Sequence, residues 1–382
     1  MSTALVVHRA RLVDARGVVE DGWVAAADGA ITATGTGDSW RGLASAEVVD
    51  AGGATLVPGF VDLHVHGGGG AAVDDGADAI ARMLAAHRAH GTTRSVLSLV
   101  AAPLEELERS LAVIADLAAA DPLVLGSHLE GPFLAPGRRG AHALGALALP
   151  TPEVVERLLE SARGTLVQVT VAPELPGALD AISRFAAAGV VVALGHTEAD
   201  AALARAALDR GVRLITHAFN AMPGIHHRAP GPVPAALADP RVVLELILDG
   251  EHVHPDVARL AFAAAPDRIA LVTDAMAAAG SADGVYRLGG LDVSVQAGRA
   301  VLSGTDTLAG STLTQDRALR FALDAVGLPE PTAVGALTAT PARVLGRTDL
   351  GLLQPGHRGD LVLLDASHRV EWVRAEGRLL GV

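Results

Sequence analysis

The chain has 382 residues, a formal net charge of −13 and no cysteine, and all 30 of its basic residues are arginine. This composition excludes thiol nucleophiles, disulfides, iron–sulfur ligation and cysteine-zinc sites, as well as lysine Schiff bases and carbamylated-lysine metal bridges. The acidic balance argues against general nucleic-acid binding. The hydrophobic share of 50% is ample for a large folded core.

The first residues, Met1–Arg9, have no basic region ahead of their short apolar run, which a secretory signal peptide would need. No stretch reaches about 18 uninterrupted apolar residues, the length that a transmembrane helix requires. We therefore expect a soluble cytoplasmic protein that does not interact with membranes.

Both ends of the chain consist of short strands separated by turns. Neither end has enough strand to bury a face by itself, so we expect residues 1–55 and 350–382 to form one small β-sandwich domain. The predicted strands are Ala4–Val7, Gly22–Ala26, Ala30–Thr34 and Glu47–Asp50 at one end, and Leu361–Leu364, Val370–Ala375 and Gly377–Leu380 at the other.

Residues 56–349 change to apolar runs that alternate with alanine-rich helical segments. The runs are Gly59–His66, Thr92–Leu99, Leu123–Glu130, Leu166–Ala172, Val190–His196, Leu214–Phe219, Val242–Leu248 and Ile269–Asp274. The helices between them include Asp78–His90, Leu104–Ala119, Pro152–Ala162, Ala199–Arg210 and Pro255–Ala264. Eight such units predict an α/β fold with a parallel sheet closed into a (β/α)8 TIM-like barrel, the catalytic domain.

An open, doubly wound sheet is the alternative fold, but no Gly-x-Gly-x-x-Gly motif follows the first strand. One insertion into the barrel, Gly284–Ser303, has the pattern of a β-hairpin between the eighth strand and its helix.

Two histidines end the first predicted barrel strand. His64 and His66 are two residues apart, so their side chains point to the same face of a strand. If that face lines the barrel, both imidazoles reach one point in space and can hold a divalent metal ion. A lone His-x-His pattern is common without a metal, so the pair needs support from other strands.

Polar side chains also end four later barrel strands. Glu130 precedes a Gly-Pro break, where packing does not explain it, because an unpaired buried carboxylate is costly. His196, His217 and Asp274 end the fifth, sixth and eighth strands, although Asp274, like Thr197, also fits a helix N-cap. Barrel enzymes place their sites at these strand ends, so the convergence predicts a metal centre.

The absence of lysine narrows the kind of metal centre. Glu130 is the natural substitute for a carbamylated lysine, either as the ligand of one ion or as a bridge between two. Glu130, His196 and His217 would leave one coordination position open, which is the pattern of catalytic rather than structural sites. His64 and His66 could hold a second ion beside Glu130. Imidazole and carboxylate suit Zn²⁺, Fe²⁺, Co²⁺ and Mn²⁺ alike, and Zn²⁺ is the expected ion.

Asp274 is well suited to moving a proton. One carboxylate within reach of an attacking water and of a leaving nitrogen can take a proton from the first and give it to the second. A metal centre with such a carboxylate beside it is suited to the hydrolysis of an amide bond.

A phosphate group would have to be bound by arginine, histidine or backbone N–H groups. Arg228 lies in the loop His226–Gly231, which has no apolar pattern and carries too much positive charge to be without a role in an acidic protein. A solvated surface loop is the alternative interpretation. Arg138 and Arg139 could contact a phosphate or a lid, and a plain charged turn explains them equally well.

Together these motifs resemble those of the N-acetylglucosamine-6-phosphate deacetylases of the amidohydrolase superfamily. The resemblance runs in order over essentially the whole chain, including the terminal strands. The His-Leu-Glu-Gly-Pro and His-x-x-Asn-Ala-Met blocks are specific to this family rather than to the superfamily. The matching segments are Pro58–Asp62, His128–Phe133, Gly195–Thr197, Thr216–Pro223, Asp249–His252, Val272–Ala275 and Leu308–Ser311.

The resemblance implies a role for each matching residue. Glu130, His196 and His217 match the metal ligands, and Asp274 matches the catalytic acid and base. Some members lack the His-x-His pair and use one ion, whereas this chain keeps it and looks like the members that hold two. The substrate-binding residues that the resemblance implies are Asn220 and Ala221 in a phosphate-binding turn, His252 near the sugar or phosphate, Ala141 and His142 in a mobile loop over the amide, Leu308 and Ala309 along the sugar pocket, and Arg228, which would reach the site of the neighbouring subunit in a homodimer.

The resemblance implies removal of the acetyl group from N-acetyl-D-glucosamine 6-phosphate, in amino-sugar catabolism or cell-wall recycling. Three alternatives remain at this point. The galactosamine epimer differs at one hydroxyl that the sequence does not locate. The second alternative, a different metal-dependent amidohydrolase, explains the metal ligands but gives no role to Asn220 and Arg228. A non-catalytic assembly protein with the same fold would be expected to have lost ligands that this chain retains.

Overall fold

The computed structural model describes residues 4–43 and 47–381, which fall into two compact units. The first unit comprises Met1–Asp62, Ala85–Arg94 and Thr314–Val382, and the second comprises Leu63–Leu84 and Ser95–Leu313. The domain boundaries that we predict from the sequence, at residues 55 and 350, stay a prediction.

Strands from both ends of the chain form one eight-stranded sheet, here called the terminal sheet. Its strands are Leu5–Asp14, Gly17–Ala27, Ala30–Thr36, Glu47–Asp50, Thr55–Pro58, Leu361–Leu364, Val370–Ala375 and Arg378–Gly381. Leu361–Leu364 pairs antiparallel with Thr55–Pro58, which joins the two ends. The successive residues Val6 and Val7 belong to different core clusters, so apolar side chains cover both faces of the sheet.

The first strand of the terminal sheet is longer than the sequence predicts. The prediction ends at Val7 because the polar His8 and Arg9 interrupt the apolar alternation, whereas the strand continues to Asp14. Arg9 has a φ of 53° at a register shift between Val7 and Ala10, so a bulge accommodates the polar residues and the pairing resumes after them.

Eight parallel strands form the predicted barrel. Their order in the sheet follows the chain, and a parallel bridge between Val65 and Ala275 links the first strand to the chain beyond the eighth. The fold class is therefore confirmed, and the open doubly wound sheet is excluded. The barrel strands, numbered first to eighth below, are Phe60–Val65, Thr92–Val100, Val124–Glu130, Leu166–Val171, Val191–Leu194, Val212–Ile215, Val243–Leu246 and Ile269–Leu271.

Several barrel strands end earlier than the apolar runs that predict them. The residues beyond the fifth, sixth and eighth strands include His196, His217 and Asp274, whose φ values are 47°, 27° and 47°. A residue with a positive φ leaves the extended conformation and ends strand pairing. Such backbone is costly for residues other than glycine, and it is typical of functional sites.

The helices named from the sequence are present with small shifts at their ends. The predicted helix Ala199–Arg210 begins at Ala201, because Asp200 caps it by accepting a hydrogen bond from the Leu203 N–H at 2.8 Å. Thr197 is therefore not its N-cap. The ten helices of the described residues are Ala77–Arg88, Leu104–Ala120, Pro152–Ala162, Ala178–Ala187, Ala201–Arg210, Pro232–Leu237, Pro255–Ala264, Gln315–Asp324, Glu330–Leu337 and Ala339–Val344.

The insertion after the eighth strand has three strands rather than the predicted two. Gly284–Leu288, Leu291–Gln296 and Arg299–Leu302 form an antiparallel meander. The prediction of a single hairpin is wrong because the chain makes two tight turns, at Gly289–Gly290 and at Ala297–Gly298, within that range. Across residues 4–43 and 47–381, we find no helix with the length and apolar character needed to cross a membrane.

Candidate active site

Four side chains from three barrel strands converge at the carboxyl end of the barrel, here called the first cluster. The Nε2 atoms of His64 and His66 are 3.0 Å apart. Glu130 Oε2 lies 3.5 Å from the first of these nitrogens and 3.0 Å from the second, and Asp274 Oδ1 lies 3.5 and 3.4 Å from them. All four residues are buried, and their candidate metal-binding atoms all lie within 4.8 Å of one another.

A second cluster shares Glu130 with the first. The other carboxyl oxygen, Oε1, lies 3.1 Å from His196 Nε2 and 2.9 Å from His217 Nε2. The two nitrogens are 3.0 Å apart. Glu130 thus presents one carboxyl oxygen to each cluster.

Hydrogen bonds at Nδ1 orient three of the imidazoles so that Nε2 faces the other side chains of its cluster. Nδ1 of His64, His66 and His196 each faces an oxygen acceptor to which it can donate, and the neutral ring then has its lone pair on Nε2, as a metal ligand requires. The acceptors are, in order, the Glu245 carboxylate at 3.2 Å, the Ser98 carbonyl at 3.1 Å and the Arg138 carbonyl at 2.8 Å. The donor set of both clusters therefore fits a divalent metal ion.

The electrostatics of the first cluster favour positive charge. Burial alone lowers the pKa of His66, but hydrogen bonds to Asp274 and Glu130 outweigh it and raise the pKa to about 9. The pKa of His64 is raised well above its usual value because the Glu130 and Asp274 charges outweigh burial. Burial likewise raises the pKa of Asp274, but the His64 charge and the His66 hydrogen bond outweigh it and lower the pKa to about 2. Two carboxylates therefore attract either protons or a cation to this point.

A cavity of about 460 Å³ opens above the clusters. That volume suits a small ligand such as a sugar. The predicted site residues that line it are His66, Glu130, Ala141, His142, His196, His217, Asn220, Ala221, His252, Asp274 and Leu308, together with Arg138 and Arg139. Asp274 thus belongs to the first cluster, faces the cavity and does not cap a helix.

Two further histidines of the cavity wall are held by hydrogen bonds. His142 Nδ1 accepts from the Ala101 N–H at 3.1 Å, so the neutral ring carries its proton on Nε2, 3.4 Å from Glu130 Oε2. Burial lowers the pKa of His142. His252 Nδ1 pairs with Asp249 at 2.7 Å, and this carboxylate raises the pKa of His252 against the effect of burial.

The remaining predicted residues differ in their positions. Asn220 lines the cavity and donates from Nδ2 to the His217 carbonyl at 3.2 Å, and Ala221 has a left-handed φ of 51°. Ala309 is fully buried in a core cluster rather than on the cavity wall. Arg228 is exposed, and its Nη1 lies 2.7 Å from His227 Nε2. The single chain therefore does not bring Arg228 to its own cavity wall.

The sequence analysis did not identify the buried polar residues behind the two clusters. Glu245 contacts His64, and Gln168 in turn contacts Glu245. His128 bridges Ser98 and Thr170, with both hydrogen bonds at 2.9 Å. A signal was available for Glu245, since it is the one charged residue within an otherwise apolar predicted strand, the same argument that identified Glu130.

Comparisons with known proteins agree with this geometry. The model of the amidohydrolase family matches residues 55–376. N-acetylgalactosamine-6-phosphate deacetylase of Escherichia coli is 38% identical over 98% of both chains, and N-acetylglucosamine-6-phosphate deacetylase of Bacillus subtilis is 32% identical over 97% of this chain and 95% of that one. A solved structure of N-acetyl-D-glucosamine-6-phosphate deacetylase from Mycobacterium smegmatis, in complex with N-acetyl-D-glucosamine-6-phosphate, has a TM-score of 0.94 and 42% identity over 100% of both chains.

Three findings lead to one assignment. The family model spans most of the chain, and the relatives match it nearly from end to end. Two clusters of buried metal-binding side chains lie at the carboxyl end of the barrel. The chain belongs to the amidohydrolase family, in the group that contains these amino-sugar-phosphate deacetylases.

Proposed function

We propose that the protein hydrolyses the acetamide of N-acetyl-D-glucosamine 6-phosphate to D-glucosamine 6-phosphate and acetate. The observation that carries this proposal is the pair of buried clusters that share Glu130, with Asp274 lining a cavity of about 460 Å³. Relatives with this substrate in their names match the chain over nearly its full length.

Divalent metal ions are the cofactor in this proposal, one or two per subunit, and Zn²⁺ is the ion that we expect. His64, His66, Glu130 and Asp274 would hold one ion, and Glu130 with His196 and His217 would hold the other. Such an ion supplies Lewis acidity, which activates water and polarises a carbonyl group. Fe²⁺, Co²⁺ and Mn²⁺ suit the same donors.

Asp274 is the catalytic acid and base of the proposed reaction. Its carboxylate takes a proton from the attacking water while the water oxygen forms a bond to the acetamide carbon. The C–N bond then breaks, and the carboxylic acid returns the proton to the departing nitrogen, so that the amine and acetate leave and Asp274 is again ionised. The Nε2–H of His142 can donate to the acetamide oxygen, where negative charge develops.

The other cavity residues would bind the sugar and its phosphate. Asn220 and the Ala221 turn together with His252 offer N–H donors, and Leu308 supplies an apolar wall, with Ala309 behind it. Because Arg228 is exposed and lies off its own cavity wall, we propose that it reaches the phosphate bound in the partner of a homodimer.

The galactosamine epimer is the second candidate substrate. The relative from Escherichia coli that is 38% identical carries that name, and the sugar hydroxyl that separates the two epimers has no assigned partner among the cavity residues. The retained donor set of both clusters argues against a non-catalytic assembly protein.

We also place this activity in the cytoplasm, within amino-sugar catabolism or cell-wall recycling, because a charged sugar phosphate does not cross a membrane unaided. The catalytic domain would span residues 56–349, and the two chain ends would form the second domain.

The test is acetate release from N-acetylglucosamine 6-phosphate, from its galactosamine epimer and from unphosphorylated N-acetylglucosamine, with metal content measured on the same sample. Turnover of the first substrate at least tenfold above the other two is the expected result. A preference for the epimer would change the substrate and keep the reaction. No turnover of any of them by metal-loaded protein would refute the deacetylase proposal.

A further inference from the structure

Glu245 is a buried carboxylate that belongs to neither cluster. It lies on the seventh barrel strand, Val243–Leu246, and its side chain is completely inaccessible to solvent. An unpaired carboxylate in such a place would be strongly destabilising, so its hydrogen bonds indicate what it does.

Three hydrogen-bond partners surround the Glu245 side chain. Oε1 accepts from Gln168 Nε2 at 2.9 Å. Oε2 lies 3.2 Å from His64 Nδ1 and also 3.2 Å from the backbone nitrogen of His217, whose N–H donates to it. One carboxyl oxygen therefore contacts a side chain of the first cluster and the main chain of the second.

The contact with His64 decides which ring nitrogen can bind a metal. Oε2 accepts from the His217 N–H and offers an acceptor to His64 Nδ1 as well; when Nδ1 donates to it, the lone pair of the neutral ring lies on Nε2. That Nε2 is the atom 3.0 Å from His66 Nε2, inside the first cluster. Without an acceptor at Nδ1, the ring could carry its proton on Nε2, and a protonated Nε2 cannot be a ligand.

The contact with His217 fixes the second cluster. His217 has a left-handed φ of 27°, a costly conformation that persists only where its surroundings hold it. The hydrogen bond from its N–H to Glu245 is one such constraint, and it holds the residue whose Nε2 lies 2.9 Å from Glu130 Oε1.

We propose that Glu245 is a positioning residue that makes His64 a metal ligand and ties the two clusters together through His217. This inference rests on the proposed metal-dependent function. Carboxylates that orient metal-binding imidazoles typically change metal affinity by about 10–100-fold when they are removed.

The test is metal binding by the full-length protein, stripped of metal and titrated with Zn²⁺ by calorimetry, with the bound ions counted by elemental analysis. Glu245→Leu should lower the stoichiometry from two ions to one, or weaken one of two ions by about 10–100-fold. Glu245→Gln can still offer an amide oxygen to His64 and to the His217 N–H, with the Gln168 amide turned to accept, so it should keep both ions and lose less affinity than the leucine variant.

A double-mutant cycle separates the proposed role from a general loss of structure. Replacing His64 by Gln should itself remove one ion. Adding Glu245→Leu to that variant should then leave the ion count at one and weaken the remaining ion only through the lost hydrogen bond from the His217 N–H, by less than the effect of about 10–100-fold expected in the wild-type background. Ser127→Ala is the matched control, because it removes a partly buried barrel hydrogen bond, to the Thr165 carbonyl, and should leave both ions in place.

Two results would overturn the inference. If the Glu245→Leu protein binds both ions with the affinity of the wild-type protein, Glu245 does not position His64. If the Glu245→Leu and Glu245→Gln proteins both lose both ions, Glu245 is needed for the fold rather than for positioning a ligand. A wrong substrate assignment would give a different result: the wild-type protein would bind two ions but release no acetate.

Discussion

Replacing Asp274 by Asn tests the proton transfer at the centre of the proposed reaction. The asparagine has nearly the same shape, and its amide oxygen can still accept the contacts that Oδ1 makes at 3.4 and 3.5 Å. The first cluster keeps His64, His66 and Glu130, and the second cluster does not include Asp274. At saturating Zn²⁺ the variant should therefore bind as many ions as the wild-type protein.

The expected loss follows from the two tasks of one carboxylate. General acid–base catalysis is worth typically 10²–10⁴-fold in rate, and here the same group takes the proton and returns it. We therefore expect kcat to fall by about 10³–10⁴-fold, a rise of about 4–5 kcal/mol in the activation barrier. KM should change by less than about tenfold, because the phosphate and sugar contacts remain.

The assay is steady-state acetate release at saturating Zn²⁺, with bound metal counted on the same samples. A kcat within about threefold of the wild-type value, with two ions bound, would refute the assignment of Asp274 as acid and base. A large loss that accompanies a missing ion would instead make Asp274 chiefly a ligand, and elemental analysis distinguishes the two results.

Three other predictions concern binding, metal content and acid stability. Arg228→Ala should raise KM for the phosphorylated sugar by at least about tenfold and leave the unphosphorylated sugar nearly unaffected; equal effects on both would remove Arg228 from the phosphate site. Replacing His64 and His66 together by Asn should reduce the bound ions from two to one, and an unchanged count by elemental analysis would make the pair structural. Asp316 is buried, which raises its pKa, but hydrogen bonds from His90 and Thr314 outweigh burial and lower the pKa to about 2. Its stabilising contribution, about 2 kcal/mol, is present above pH 4 and is lost as the pH falls from about 4 to 2. Asp316→Asn should therefore lower the free energy of unfolding at pH 6, measured in urea, and should make it fall less between about pH 4 and 2 than in the wild-type protein. Parallel pH profiles for the two proteins would contradict this.

The barrel could be predicted because its strands leave a plain pattern. Apolar runs such as Leu123–Glu130 are buried on both faces, and the polar residues that follow them gather at one end of a parallel barrel by topology alone. This is why His64, His66 and Glu130 could be grouped from sequence.

The shared use of Glu130 and the position of Arg228 are less accessible from sequence. Which carboxyl oxygen faces which cluster depends on side-chain torsion angles, which a sequence pattern does not encode. Glu245 was overlooked for a related reason: its partners His64 and Gln168 lie on strands far away in sequence, and only the closed barrel brings them together. The apolar pattern predicts the end of the fifth strand too late, at His196, because the residue type there gives no signal of its positive φ.

The terminal sheet has a consequence for how the protein is made. Thr55–Pro58 pairs with Leu361–Leu364, roughly 300 residues later in the chain, so a nascent polypeptide holds five of the eight strands of this sheet without the other three until the chain has been extended past Leu361. Until then the edge of Thr55–Pro58 is open to pairing with other chains, which makes the interval before release from the ribosome the one most exposed to aggregation. Chains that stop short of Leu361 should consequently precipitate when they are expressed, rather than accumulate as folded protein.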